Sequence, residues 1–462
     1  MWVLPLSALL LWLTLLGVRV LGAGLSPVFS MLASLMVSLD LADLMVRVWV
    51  TRRERFGAAP SSTSIPLDVG VFTPHQIRLH TRPFAFVVAV RNASEDLDDF
   101  LESMEPFRDR LYIVDDASTD GTYAHLRQAG IHAMRLEKNL KKPGALRELL
   151  ASLPREIETV VVLDPDVEIL DQGGRLRDIE RVIFDFQRSG CAAVCPNVVV
   201  RPGGWLARLQ SLEYRMAIGL GRRSLADHGI TSGVSIYRRD ALEAALSGHS
   251  LSVYAEDLRN ALILLGRGER IYYDGRFLIE TEAKRTWAGW FSQRVGWHYG
   301  LLRVYIEHFG DVWRASRGRP FFAYQFLVYL GFFGLILQPL RLLSVAIITA
   351  CALNGAEGAF GLDLLPDTSF TAPALFLLAY LKFTAVTMAA SAFATSSLRE
   401  WASFQAVVPL YFFYAIAYVV PATFGYLNWF TLRLFGRRTY RDHFDDAEGS
   451  GQSPSRGSDQ GP

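Results

Sequence analysis

The chain has 462 residues and a formal net charge of +1, from 47 Lys and Arg against 46 Asp and Glu, and 51% of it is hydrophobic. So even a balance excludes a partner recruited by bulk charge, nucleic acid included, and a mean hydropathy of +0.20 with 12% aromatic residues excludes a disordered chain. Three cysteines, Cys191, Cys195 and Cys351, cannot form a disulfide framework, and the first two lack the two-residue gap of a zinc or redox pair, so all three read as buried thiols.

In chain order, the apolar residues concentrate in 2–21, in 28–50 and again from 321 to 435. The first run is about as long as a roughly 30 Å hydrocarbon core requires, and a Gly/Ser/Pro break at 22–27 separates it from the second. Residues 1–50 are therefore expected to form a transmembrane hairpin. No Lys or Arg precedes the first apolar run, which argues against a cleaved signal peptide. Asp40, Asp43 and Arg47 burden the second run and suit an interfacial or protein-facing position. Arg52, Arg53 and Arg55 follow it, so the middle of the chain is expected to be cytoplasmic.

The soluble middle, 51–310, alternates short β-branched runs with helical stretches, the pattern of an α/β domain with a mostly parallel sheet. FAFVVAV (84–90), LYIVD (111–115) and TVVVLD (159–164) are almost wholly apolar, as central parallel strands buried on both faces must be. Each ends in polar residues: Arg91 and Asn92, Asp115 and Asp116, Asp164-Pro165-Asp166. Open α/β sheets bind ligands just beyond those ends. No dinucleotide glycine fingerprint follows the first strand and no GxxxxGK[ST] occurs, which removes most support for hydride transfer and ATP hydrolysis. Two carboxylates at a strand end can instead hold a divalent cation against a diphosphate, and the adjacent acids of VDDASTDGT (114–122) can accept hydrogen bonds from a nucleoside.

Residues 284–313 combine Lys284, Arg285, Arg294 and Arg303 with Trp287, Trp290, Phe291, Trp297 and Tyr299, the composition of an amphipathic helix at a lipid headgroup boundary. Trp287 and Trp290 read as interfacial anchors. The nine histidines show no metal-binding spacing. Residues 321–436 read as a C-terminal transmembrane bundle; Arg433, Arg437, Arg438 and Arg441 put its end on the cytoplasmic side, which requires an even number of spans, four by expectation. On that count 321–353 is one long or broken crossing and the basic-free linker 354–369 is external. Residues 437–462 read as a polar, disordered tail.

Seven ordered segments, VRN (90–92), VDDASTDGT, RLEKNLKKPGAL (135–146), DPD (164–166), TSGVSIYRRDAL (231–242), AED (255–257) and QRVGW (293–297), resemble the inverting family-two glycosyltransferases. The closer resemblance is to their membrane-embedded synthase branch, which makes cellulose, chitin, hyaluronan and poly-N-acetylglucosamine. It implies a nucleotide-sugar-binding domain flanked by transmembrane helices in the plasma (inner) membrane, with Mg2+ or Mn2+ as cofactor. The implied partners are a UDP-sugar donor, a polysaccharide or lipid-linked acceptor and membrane lipids. Residue by residue, it implies that Asn92, Asp115, Asp116, Lys141 or Lys142, Gly144 and Asp164 meet the nucleotide sugar, and that Asp164 and Asp166 hold the metal. It makes Asp257 the general base beside Glu256, and gives Gln293, Arg294 and Trp297 to the diphosphate and acceptor. The family usually has arginine beside the tryptophan, where this chain has Gly296. In a helix Arg294 would share a face with Trp297 but not with position 296, which leaves open whether it supplies the missing charge. A processive synthase, a transferase adding one sugar to a lipid carrier and a catalytically silent transferase-like membrane partner are the three readings, in that order.

Overall fold

Residues 72–170, 178–222, 231–248, 255–331 and 371–436 are described by the computed structural model, apart from positions 96, 318, 325, 328, 329 and 396. The expected N-terminal hairpin, most of the 321–353 crossing, the linker 354–369, the tail and Cys351 lie outside the described residues.

The three apolar runs form the centre of the sheet. β1 (Phe84–Val90) lies between β2 (Leu111–Asp115) and β4 (Thr159–Leu163), all parallel, with Val90 opposite Asp115 and Val88 opposite Leu163. That register brings the polar strand ends to one edge. β3 (His132–Arg135) extends the parallel group, completing an eight-stranded sheet in the order β3-β2-β1-β4-β7-β6-β8-β5. Beyond β4 the sheet becomes mixed. β7 (Ser235–Arg238) is antiparallel to both β4 and β6 (Ala193–Val200), β6 is parallel to β8 (Ile271–Thr281), and β5 (Val167–Leu170) is antiparallel to β8. The expectation of a mostly parallel sheet therefore holds for its first half only, because four-residue strands such as β5 and β7 carry no mark of direction in their composition.

Strand periodicity sorts the two cores. Ala85 and Val87 of β1 face α4 (Lys141–Ser152), α7 (Arg239–Ser247) and α8 (Glu256–Gly266), in a cluster with Leu146, Leu242 and Leu262. Phe84, Phe86 and Val88 face the other way, with Phe100 and Ile183, under the helices Leu97–Ser103 and Asp178–Ser189. Cys191 and Cys195 are buried free thiols, as expected.

Among the described residues, a series of helices leads from the sheet toward the apolar end. α9 (Trp287–Glu307) starts at Thr286, whose hydroxyl accepts the Gly289 N–H at 3.1 Å. α10 (Phe309–Ser316), α11 (Thr371–Ala394) and α12 (Leu398–Phe404) lead to α13 (Val408–Phe435), which packs along α9. The approach is close: a Cβ on Gly425 would lie 2.8 Å from the Val295 carbonyl oxygen and from the Tyr299 nitrogen. Trp290 is 3% exposed and donates Nε1–H to the Tyr414 hydroxyl at 2.6 Å. It faces protein, not lipid headgroups, correcting its reading as an anchor; composition alone could not tell a face turned to α13 from one turned to a bilayer. Trp287 is exposed. Among the described residues, α13 is the one helix long and apolar enough to cross a membrane by length and composition, with a shorter apolar stretch at Phe383–Ala394; much of the segment over which four spans are expected lies outside the described residues.

Candidate active site

The loops after β1 and β2 are stitched together by hydrogen bonds. The Asp116 N–H donates to the Val90 carbonyl at 2.8 Å, the Asn92 N–H to Ser118 Oγ at 3.0 Å, and the Thr119 N–H to Asn92 Oδ1 at 2.9 Å. Asp120 accepts from the Thr122 N–H and hydroxyl, at 3.0 and 2.6 Å, closing the Asp-Gly turn that begins the helix Thr122–Gln128. These bonds, with those from Ser94, outweigh burial and hold the Asp120 carboxyl down at about 2.

Asp115 is fully buried, its carboxylate 3.5 Å from Arg135 Nε. Asp116 is 3% exposed and accepts the Leu140 N–H at 2.6 Å, while Arg91 donates to its carbonyl at 3.3 Å. Burial, with the Asp115 charge adding to it, pushes the Asp116 carboxyl up against the pull of the Leu140 and Lys141 N–H groups and Arg91. A pair of desolvated acids with a fixed set of donors can read the hydrogen-bond donors of a nucleoside.

DPD and AED are brought together through one lysine. Lys142, in the first turn of α4, hydrogen-bonds Asp164, donates to the Gly233 carbonyl at 3.2 Å and lies 3.3 Å from Glu256 Oε1. Burial would favour its neutral form, but the Asp164 and Glu256 charges overcome that and hold its pKa above the ordinary value. Of the two candidate lysines, Lys142 is the one whose ammonium enters this cluster; Lys141 supplies a backbone at φ 64° and an N–H bound to Asn139 Oδ1 at 2.8 Å. Gly144 is buried in the same first turn.

Glu256 and Asp257 open α8. Burial pushes the Glu256 carboxyl up to about 7; Lys142 pulls it down, while the Asp257 and Asp164 charges add to the rise. Asp257 Oδ1 accepts the Leu258 N–H at 2.8 Å, and the Thr231 hydroxyl donates to the Asp257 carbonyl at 2.6 Å, tying AED to the TSG segment. Asp166 stands with surface open to solvent, and its carboxyl is pushed up to about 6, first by the protein that displaces water around it and then by Asp164, with Lys284 and Lys142 opposing. Asp164 and Asp166 offer the hard oxygen donors that a divalent cation prefers. Among the described residues no three His, Cys, Asp or Glu side chains converge as a ready-made cage.

Backbone conformation marks the same places. The four non-glycine residues with positive φ among the described residues are Asn92, Ala117, Lys141 and Ala255, one each in VRN, VDDASTDGT, the KKPG helix start and AED. Left-handed backbone costs an L-residue about 1–2 kcal/mol and persists where the surroundings over-determine it, which is typical of functional sites.

Gln293, Arg294 and Trp297 sit on α9, away from the Lys142 cluster's contacts. Arg294 is fully buried and forms a two-pronged ion pair with Glu213, at 3.1 Å from Nε and 2.6 Å from Nη2. Its guanidinium also hydrogen-bonds Gln293 and lies 4.1 Å above the Trp297 ring, which is 41% exposed. The structure directs this charge to Glu213 rather than to position 296. Sequence reasoning assigned no site role to Glu213, Gly233, Arg135 or, toward Asp166, Lys284; the segments TSGVSIYRRDAL, which holds Gly233, and RLEKNLKKPGAL, which opens on Arg135, carried signals that could have found two of them.

Residues 85–246 match the protein-family model described as Glycosyl transferase family 2. With the acids gathered at the strand ends of the mixed sheet, this match makes the chain a glycosyltransferase. No curated protein matches it in sequence. Among solved structures, it is similar to the mannosyltransferase PcManGT from Pyrobaculum calidifontis, solved with GDP-Man and Mn2+, at 17% identity and TM-score 0.48, over 87% of this chain and 98% of that one. It is also similar to glucosyl-3-phosphoglycerate synthase from Mycobacterium tuberculosis, at 16% identity and TM-score 0.36, over 52% of this chain and 87% of that one. Likeness at this level adds nothing to the assignment, which rests on the family match and the site.

Proposed function

We propose that the chain is a membrane-embedded, inverting, metal-dependent glycosyltransferase that passes a sugar from a UDP-sugar to a growing β-linked polysaccharide, with export of the product across the plasma membrane and its catalytic domain in the cytoplasm. The observation that carries the transfer chemistry is the Lys142 bridge, which draws Asp164 and Glu256 into one cluster although 92 residues separate them, with Asp257 adjoining. A sugar hydroxyl is a poor nucleophile at neutral pH, so a carboxylate must accept its proton as the new bond forms. Asp257 takes that role. Its backbone is fixed by Thr231 and by the start of α8, and Glu256 beside it stays closer to its neutral form, so two charges do not compete at one point.

The acceptor oxygen attacks the anomeric carbon from the face opposite the leaving nucleotide diphosphate, the bond to that diphosphate breaks, and the anomeric configuration inverts. Asp164 and Asp166 would hold Mg2+ or Mn2+, which supplies Lewis-acid neutralisation of the departing phosphate charge. Asp115 and Asp116 bind the nucleoside, and Trp297 offers the exposed half of its ring as a platform for the acceptor sugar. A second reading, addition of one sugar to a lipid carrier, is favoured by one observation: Arg294 is engaged by Glu213 and does not occupy the place of the diphosphate-binding arginine of the processive enzymes.

The test combines nucleotide release with product size, using protein in lipid, a panel of UDP- and GDP-sugars, and Mg2+ or Mn2+. A high-mass polymer from one donor supports the synthase reading; a single labelled lipid moves the assignment to the carrier-directed one. In either case Asp257→Asn is expected to lower turnover by about 100-fold or more while the protein stays folded, and full activity in that variant would remove Asp257 from the base role.

A further inference from the structure

Helix α6 (Trp205–Tyr214) carries none of the motifs, yet its last turns touch both ends of the site. Gln210 holds the backbone of Lys284 from both sides, accepting its N–H at 3.1 Å and donating to its carbonyl at 2.9 Å. Lys284 is, with Lys142, one of the two cations whose charge acts on Asp166. One turn on, Glu213 takes the buried Arg294 guanidinium in both carboxylate oxygens, and the Tyr414 hydroxyl of α13 also donates to it. That hydroxyl in turn accepts the Trp290 indole N–H. Tyr214 stands 6.2 Å from Trp297, ring centre to ring centre.

The consequence falls on Trp297. Of its two ring faces, one is covered by Arg294 at 4.1 Å and the ring as a whole remains 41% exposed. A guanidinium over an indole is attractive, and more so when desolvated. Arg294 could otherwise turn about four side-chain bonds, but a bidentate carboxylate removes that freedom. The indole orientation is therefore set from outside its own helix.

We propose that Glu213 is a positioning residue for acceptor binding: through Arg294 it fixes the ring of Trp297, and through Tyr414 it couples that ring to α13. The inference rests on the reading of Trp297 as the acceptor platform, so its test separates the two.

The protein is labelled with 5-fluorotryptophan, and the 19F resonance of Trp297 is assigned by its loss in Trp297→Phe. In Glu213→Gln the Trp297 resonance is expected to shift and narrow toward that of a freely turning indole, while the resonance of the exposed Trp313, on α10, stays in place. Because a lone buried Arg294 can unfold the protein, the double variant E213Q/R294Q, which leaves no unpaired charge, is measured beside it. A purely structural pair would leave Trp297 in its native signal in that double variant. Ordering through Arg294 predicts a mobile ring there too, with the KM for the acceptor raised about tenfold and kcat within about twofold on whichever UDP-sugar the wild type turns over. A native Trp297 resonance in the folded double variant overturns the proposal. If Trp297→Phe and Trp297→Ala leave the acceptor KM unchanged, the platform reading fails, and the 19F result still decides whether Glu213 orders the ring.

Discussion

At the scale of single residues the site is crowded with acids that share too few cations, and Glu256 records the strain most directly. Its carboxyl titrates near 7 in the folded chain against 4.5 when solvated, chiefly because burial disfavours its charge. Between those two values the folded chain holds a proton that the unfolded chain has released, so this residue makes stability fall as pH rises from about 4.5 to 7. Glu256→Gln keeps the shape and abolishes the titration. Melting temperatures of metal-free protein across that window should therefore decline less steeply in Glu256→Gln than in the wild type, and equal slopes would mean that Glu256 is not the buried titrating acid. Gly233 answers to geometry instead. A Cβ there would lie 2.5 Å from Asp164 Oδ2 and 3.3 Å from Lys142 Nζ, so both charged groups would have to move. Displacing a reacting constellation by about 1 Å can lower the rate about 100-fold. Gly233→Ala is thus expected to fold normally and to lose roughly that factor in kcat/KM, a loss that steady-state kinetics would detect and that unchanged kinetics would refute.

Between elements, the seam of α9 and α13 depends on backbones that nearly touch. A Cβ on Gly425 would meet His298 Cβ, the Tyr299 nitrogen and the Val295 carbonyl, all at 2.8 Å, and two of these are main-chain atoms that cannot swing aside. Overfilling such a contact costs about 1–3 kcal/mol. Gly425→Val should lower the melting temperature and expose the Trp290 indole, now buried against Tyr414, to quenching by iodide; a native melt with Trp290 still shielded would count against a tight seam. This seam also explains what sequence could and could not deliver. The β1, β2 and β4 runs were legible because a strand buried on both faces must be apolar throughout, and DPD stood out as acids at the end of such a strand, whereas AED came from the family resemblance alone. Helix α6 was not legible: Gln210 and Glu213 meet Lys284 and Arg294 across 74 and 81 residues, and an ordinary helix with one Gln and one Glu carries no periodic signal of such partners. Trp290 misled for a related reason, since an aromatic stripe facing another helix has the same composition as one facing lipid headgroups.

For the molecule as a whole, the important fact is that the apolar end and the catalytic domain share a core. One cluster of packed side chains runs from Ala85 and Val87 in β1, through Leu262 and Ile263 of α8 and Leu302 and Tyr305 of α9, to Tyr426 of α13. Asp257, at the head of α8, is therefore held by a body that includes the helix able to cross a membrane. A domain tethered to its anchor by a linker would survive loss of that anchor. This one would not: truncation after Ala406 removes Tyr414 from Glu213 and Trp290, uncovers the α13-facing side of α9, and strips Tyr426 from the cluster around Leu302. Burying a large aromatic is worth about 1.5–3 kcal/mol, and α13 provides several, against a total stability of only about 5–15 kcal/mol for a domain. The chain ending at Ala406 is expected to aggregate or to be recovered without nucleotide-releasing activity, even when α9 is supplied with detergent or lipid. A soluble, active truncation would mean instead that the α/β domain stands alone and that α13 merely tethers it.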